Sequence, residues 1–244
     1  MKTQRNRDGN SGSSPGQVGE MVVLVHGIWM TGLEMTMLSR RLRNDGYITR
    51  RFYYPSLKST PADNADSLYQ YIKQLPAQTV HLVAHSLGGI VLLHLFDRYS
   101  DLPHGRLVLM GSPVCGSWVA RRLDGNFLTR WLLGRSRERG LLGGVPEWKG
   151  GRDLGVIAGC GGFGVGTVLG GVSGPGDGTV AVAETCIAQA TDRCQIPTSH
   201  TGMVVSPTVA LEVITFLKTG LFSGKHQVLD RKNGSNVCPD IPPK

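Results

Sequence analysis

Residues 80–93 read VHLVAHSLGGIVLL. Two apolar runs flank a polar His-Ser pair, and two glycines follow at once. Thr79 to Ala84 has the length and branching of a buried strand, and Ser86 to Phe96 is long enough for a helix. A strand that turns directly into a helix brings the two backbones close, which calls for small residues two before and two after the bend. Ala84 and Gly88 meet that demand and leave Ser86 at the apex. The bend lifts the Ser86 hydroxyl out of the sheet edge. The helix N-terminus behind it offers unpaired backbone N–H groups and a dipole that favours negative charge. An N-capping serine in an ordinary strand–turn–helix has the same local pattern, so the nucleophile reading depends on the rest of the chain.

Working outward, strands alternate with helices. Val22–Val25, Ile48–Tyr54, Arg106–Met110, Leu154–Ala158 and Arg193–Ile196 read as further strands. Leu33–Leu42, Pro61–Leu75 and Pro207–Lys218 read as helices, the second opened by Thr60 as N-cap and Pro61 at its first position. This alternation predicts an α/β fold of about six mostly parallel strands with helices on both faces. Two stretches break the rhythm. Pro113–Gly151 is a long insertion with helical pieces of its own, and Gly155–Gly178 is dense in glycine and reads as irregular backbone.

Three further features support the nucleophile. His26-Gly27-Ile28-Trp29 follows the first strand, where the Ile28 N–H can turn toward the bend and, with the Leu87 N–H, hold a developing oxyanion. His26 itself reads as structural. Asp177 sits among Gly174, Pro175, Gly176 and Gly178 after the fifth strand, where an acid oriented toward a histidine belongs; an Asx-turn is the plainer reading. His200 follows the last strand in Thr198-Ser199-His200-Thr201-Gly202. The order Ser86, Asp177, His200 fits a hydrolytic triad in which Asp177 fixes the imidazole tautomer and His200 takes the serine proton. The competitors are weaker. His85 should point away from the nucleophile, His81 and His94 read as core or rim, and His104 and His226 fall in loop and tail. Asp97 and Asp101 lie too far along their helix, and Glu184 follows a segment that should lead away from the site.

The stretches HGIW at 26–29, AHSLGG at 84–89, DGTV at 177–180 and SHTG at 199–202 together resemble the α/β-hydrolase superfamily. They are most similar to small bacterial lipases and esterases with an A-H-S-x-G-G bend, and to the GPI-inositol-deacylase-like group. The resemblance runs from about Met21 to Gly220. It implies ester hydrolysis through an acyl-enzyme, without metal or organic cofactor. Thioester hydrolysis or acyl transfer would use the same three residues, and a non-catalytic binding protein on this fold is the reading of another class. Alanine replaces the first glycine of the bend, as in the small-lipase subgroup. The first two strands of the full fold are not apparent, which implies a minimal sheet of six. The 113–151 insertion falls where the superfamily carries a cap or lid. Trp118 and Trp131 within it, together with Trp29, are candidates for contact with substrate.

Composition bounds the rest. The chain has 244 residues, 40% hydrophobic and 18% charged, which suits one globular domain over 21–222, with polar extensions at 1–20 and 223–244 expected to be mobile. Neither a signal peptide nor a membrane span is evident. Five cysteines, an odd number without metal-ligand spacing, favour reduced thiols and a cytoplasmic setting, although a Cys186–Cys194 bridge is open in an oxidising one. The net charge is +8, and eight arginines and lysines lie between 113 and 152 against three carboxylates. That excess is either a solvated surface or a contact for an acidic substrate or an anionic membrane. No nucleic-acid motif accompanies it, so a small-molecule or lipid ester is the expected partner.

Overall fold

A computed structural model describes residues 19–162, 164–169 and 174–226. The first eighteen residues of the N-terminal extension and residues 227–244 of the tail lie outside the described residues, so the expectation of mobile ends is not addressed there.

Among the described residues six strands make one sheet: β1 (Met21–Val25), β2 (Ile48–Phe52), β3 (Val80–His85), β4 (Leu107–Met110), β5 (Leu154–Gly159) and β6 (Asp192–Ile196). They lie in the order β2-β1-β3-β4-β5-β6, and every pairing is parallel. The chain steps outward from β1 to β2, then crosses back to β3 and moves away in the other direction. The carboxyl ends of β1 and β3 therefore flank a topological switch point, where an open α/β sheet leaves a crevice.

The helices are α1 (Thr36–Asn44), α2 (Pro61–Lys73), α3 (Leu87–Arg98), α4 (Trp118–Asp124), the single turn α5 (Val165–Val168) and α6 (Pro207–Thr219). Side chains alternate across the sheet into two cores. Val23, Val25, Leu82 and Ala84 face Leu68, Ile72 and Ile90 of α2 and α3. Val22, Leu24 and Val83 face Leu38 and Leu42 of α1 and Val213 and Phe216 of α6. Burial on both faces explains why β1 and β3 are apolar runs rather than alternating ones.

Local chemistry sets the helix starts. The Thr60 hydroxyl accepts the Asp63 N–H at 3.1 Å while the Asp63 carboxylate accepts the Thr60 N–H at 3.1 Å, with Pro61 at the first position. Ser206 caps α6 by accepting the Val209 N–H at 3.3 Å, and Gly220 closes that helix at φ 81°. The expected Pro61–Leu75 helix ends at Lys73, and strand two ends at Phe52, because Pro55 follows shortly after.

The glycine-dense stretch is not all irregular: Gly155–Gly159 belongs to β5. Strand pairing survives there because the missing side chain at Gly155 makes room for aromatic rings. A Cβ on Gly155 would lie 2.7 Å from Phe222 and 2.9 Å from Phe216. Residues 163 and 170–173 of the stretch are outside the described residues. Cys194 is buried on β6 and its side chain joins the second core.

Residues 113–151 leave β4 and return to β5. They carry α4 and a short 3-10 helix, Arg130–Arg137, interrupted by Gly134 at φ 51°. Three cations of this insertion pair closely with carboxylates: Arg137 with Asp124 at 2.8 Å, Arg135 with Glu138 at 3.0 Å, and Lys149 with Asp97 at 2.7 Å.

Candidate active site

β3 ends at His85, α3 starts at Leu87, and Ser86 alone makes the turn at φ 54°, ψ −123°. This backbone region is costly for a residue with a side chain, about 1–3 kcal/mol, and persists only where the surroundings enforce it. Here the enforcement is visible. The Ser86 N–H donates to the Met110 carbonyl at 2.9 Å. A Cβ on Gly88 would stand 2.6 Å from the Val25 carbonyl oxygen and 2.7 Å from that of His26, so α3 starts hard against the end of β1.

The loop after β1 is held by His26. Its ring is buried and stacks on Tyr54, with centroids 4.2 Å apart. Nε2 accepts the Tyr54 N–H at 3.3 Å, so Nδ1 carries the proton and donates to the Gly27 carbonyl at 2.8 Å. Burial, ahead of these bonds, holds the His26 pKa below its ordinary value and keeps the ring neutral. In a trans peptide the N–H points opposite to the C=O. Turning the Gly27 carbonyl toward His26 thus turns the Ile28 N–H away from it. Trp29 follows at φ 61°, its N–H donating to the Ser56 hydroxyl at 3.3 Å.

Asp177 and His200 come from the loops after β5 and β6. His200 Nδ1 lies 2.7 Å from Asp177 Oδ2, and the His200 N–H donates to the Asp177 carbonyl at 3.0 Å. The other carboxylate oxygen, Oδ1, accepts the Thr179 N–H at 2.9 Å and the Val180 N–H at 2.7 Å. The Asx-turn and the triad acid are therefore one arrangement: one oxygen shapes the loop and the other holds the imidazole. With Nδ1 donating to the carboxylate, Nε2 keeps its lone pair. Both residues are buried.

Glu184 lies elsewhere. It is buried in the turn Val182–Thr185, where it accepts the N–H of Trp118 and, at 3.0 Å, that of Ala181. It anchors the start of α4. Burial raises its pKa, opposed by those two backbone bonds.

Two contributors escaped the sequence. His85 does not point away: its Nε2–H donates to the His200 carbonyl at 3.0 Å, and the two rings lie 4.6 Å apart. Burial drives its pKa down to about 3, so it supports the His200 loop as a neutral ring, and its Nδ1 is buried with no partner among the described residues. Its place beside the serine was visible, but which way its ring turns depends on the long-range fold. Gly111, at φ 56°, closes the pocket behind the pair. A Cβ there would come within 3.1 Å of Asp177 Oδ2 and 3.2 Å of His200 Nδ1. The Gly-Ser after β4 was the only signal in the sequence.

Ser86, His200, His85 and Ile28 line one cavity of about 320 Å³. Its walls are apolar: Val119, Ala120 and Leu123 from α4, and Leu133 and Leu141 from the rest of the insertion. Trp29 lines it, whereas Trp118 and Trp131 are not among the lining residues. Leu87 opens α3 directly behind Ser86, so its N–H belongs to the first helical turn, which has no intrahelical acceptor. A histidine held by a buried aspartate, lining the same cavity as a serine in an enforced turn, can carry out nucleophilic displacement with proton relay.

Residues 22–209 match the sequence model described as "Alpha/beta hydrolase family". A protein of Pantoea ananatis (strain LMG 20103) named "Putative carbamate hydrolase RutD" is 36% identical over 117 residues, covering 43% of this chain and 41% of that protein. The match thus spans less than half the length of that curated relative. Among solved structures, Bacillus licheniformis lipase BlEst2 superposes with a TM-score of 0.61 at 20% identity, covering 85% of this chain and 94% of that one. The metagenomic carboxyl esterase MGS0156 superposes with a TM-score of 0.57 at 18% identity, covering 76% and 65%. At such identities these two likenesses speak for the fold.

Proposed function

Since the chain belongs to the alpha/beta hydrolase family, we propose that it is a serine hydrolase cleaving carboxylic esters of apolar acids through an acyl-enzyme. The observation that carries this reading is the 2.7 Å contact between His200 Nδ1 and Asp177 Oδ2, with His200 lining the same cavity as Ser86. Ser86 Oγ attacks the ester carbonyl as His200 Nε2 accepts its proton. The N–H groups of Ile28 and Leu87 receive the oxyanion. His200 then protonates the departing alcohol and activates the water that frees the acid.

The walls formed by Val119, Leu123, Leu133 and Leu141 favour an alkyl chain over a small polar acyl group. The name of the Pantoea ananatis relative supports a second reading, carbamate hydrolysis by the same three residues. A panel of p-nitrophenyl esters of increasing chain length, acyl thioesters and aryl carbamates separates the two. Ester turnover that rises with chain length and disappears in Ser86→Ala is the expected result. Turnover confined to carbamates would replace this reading with the second.

A further inference from the structure

The cavity opens beside exposed hydrocarbon from three separate segments. Trp29, after β1, and Val165, in α5, line the cavity and are also exposed. The turn joining α4 to the Arg130–Arg137 helix projects Phe127 and Leu128, and the start of that helix projects Trp131, exposed by 83%, 75% and 68%. Both helices flanking that turn wall the cavity, through Leu123 and Leu133. The turn is tied to the mouth, because the Trp29 indole N–H donates to the Leu132 carbonyl at 2.7 Å. The Trp131 indole N–H is consumed within the turn, donating to the Leu128 carbonyl at 2.8 Å. What this tip presents outward is therefore apolar.

Charge frames the tip. Arg122, Arg130 and Arg137 stand on either side of it in sequence, and Asp124 is the carboxylate among them. Asp124 holds Arg137 at 2.8 Å and Arg130 only at 3.9 Å. Arg122 is exposed and makes no ion pair among the described residues. The tip thus combines projecting aromatic and aliphatic side chains with an excess of guanidinium.

We propose that this tip docks the enzyme onto an anionic lipid bilayer, with Phe127, Leu128 and Trp131 in the headgroup–acyl boundary and Arg122 and Arg130 on the headgroups. Large side chains on a short protruding turn suit a fluid boundary that closes around them, and the cationic frame complements acidic headgroups. Docking there brings the cavity mouth to the membrane surface. The proposal does not rest on the ester chemistry and is tested apart from it.

The test is co-sedimentation with phosphatidylcholine vesicles, with and without phosphatidylglycerol. Wild type and Ser86→Ala are expected to bind the acidic vesicles equally. Phe127→Ser with Leu128→Ser should weaken binding about tenfold or more, since both lose their hydrocarbon insertion. Arg122→Gln with Arg130→Gln should weaken binding to acidic vesicles only. The Phe127/Leu128 and Arg122/Arg130 double variants should hydrolyse a short soluble ester at the wild-type rate. Arg40→Gln, Arg43→Gln and Arg50→Gln together serve as the control. They lie on α1 and the edge strand β2, where the described residues also include no ion-pair partner for them. The control should bind within about twofold of wild type. Absence of binding by wild type, a tip variant that binds normally, or loss of binding in the control triple would each overturn the proposal. So would self-association without lipid that the tip variant abolishes, which would make a second copy the occupant.

Discussion

At the scale of single residues, Asp177 has two duties that an amide cannot both perform correctly. Its Oδ1 must accept two backbone N–H groups, at 2.9 and 2.7 Å, while Oδ2 accepts from His200 Nδ1 at 2.7 Å. In Asp177→Asn the amide oxygen stays with the two N–H donors, so the NH₂ group faces His200 and forces Nδ1 to become the acceptor. The proton then moves to Nε2, where it blocks proton removal from Ser86. The equivalent change in a serine protease costs about 10⁴ in kcat, and a loss of at least about 10² is expected here, with the fold retained. Glu184→Gln is the matched comparison. It loosens the anchor of α4 and should lower the melting temperature while leaving kcat within a few-fold. Steady-state kinetics on both variants decide the matter: a crippled Glu184→Gln beside a normal Asp177→Asn would remove Asp177 from its role.

At the scale of elements, the turn at Ser86 stores strain that substitution can release. Glycine tolerates φ 54°, whereas alanine keeps the Cβ that makes it costly. Ser86→Gly should therefore melt higher than Ser86→Ala, by an amount reflecting about 1 kcal/mol. Calorimetry on the inactive pair reads this directly, and equal melting temperatures would mean the turn is unstrained. The same element shows why so much was legible beforehand. All six strands and the principal helices announce themselves through apolar runs and caps such as Thr60 and Ser206, because they are local consequences of burial and backbone chemistry. The meeting of Asp177 with His200 was legible because both follow the carboxyl ends of neighbouring strands, His200 in the short loop after β6 and Asp177 in the long segment after β5. The orientation of His85, the closeness of Gly111 and the anchoring of Glu184 were not, since each depends on contacts between segments distant in sequence. Aromatic content alone also could not distinguish Trp29, which lines the cavity, from Trp131, which faces outward.

At the scale of the whole molecule, four histidines carry an acid weakness. His26, His81, His85 and His94 all have pKa values lowered chiefly by burial, that of His85 to about 3. They stay neutral in the fold while the unfolded chain takes up protons below about pH 6.5. Their contribution to stability is thus intact above that value and declines as the pH falls toward the folded pKa values. The melting temperature should drop steadily from about pH 6.5 to 4, and His85→Gln should flatten the slope. A midpoint unchanged over that range would show that these rings are not held neutral by the fold. In the proposed mechanism the fold brings Ser86, His200 and Asp177 together as an activated nucleophile. Its most direct test is labelling with a fluorophosphonate probe followed by peptide mass spectrometry. A single phosphonylated residue, Ser86, is expected, with labelling lost in Ser86→Ala and slowed by orders of magnitude in His200→Ala. An unlabelled wild-type protein, or a label on any other serine, would contradict it.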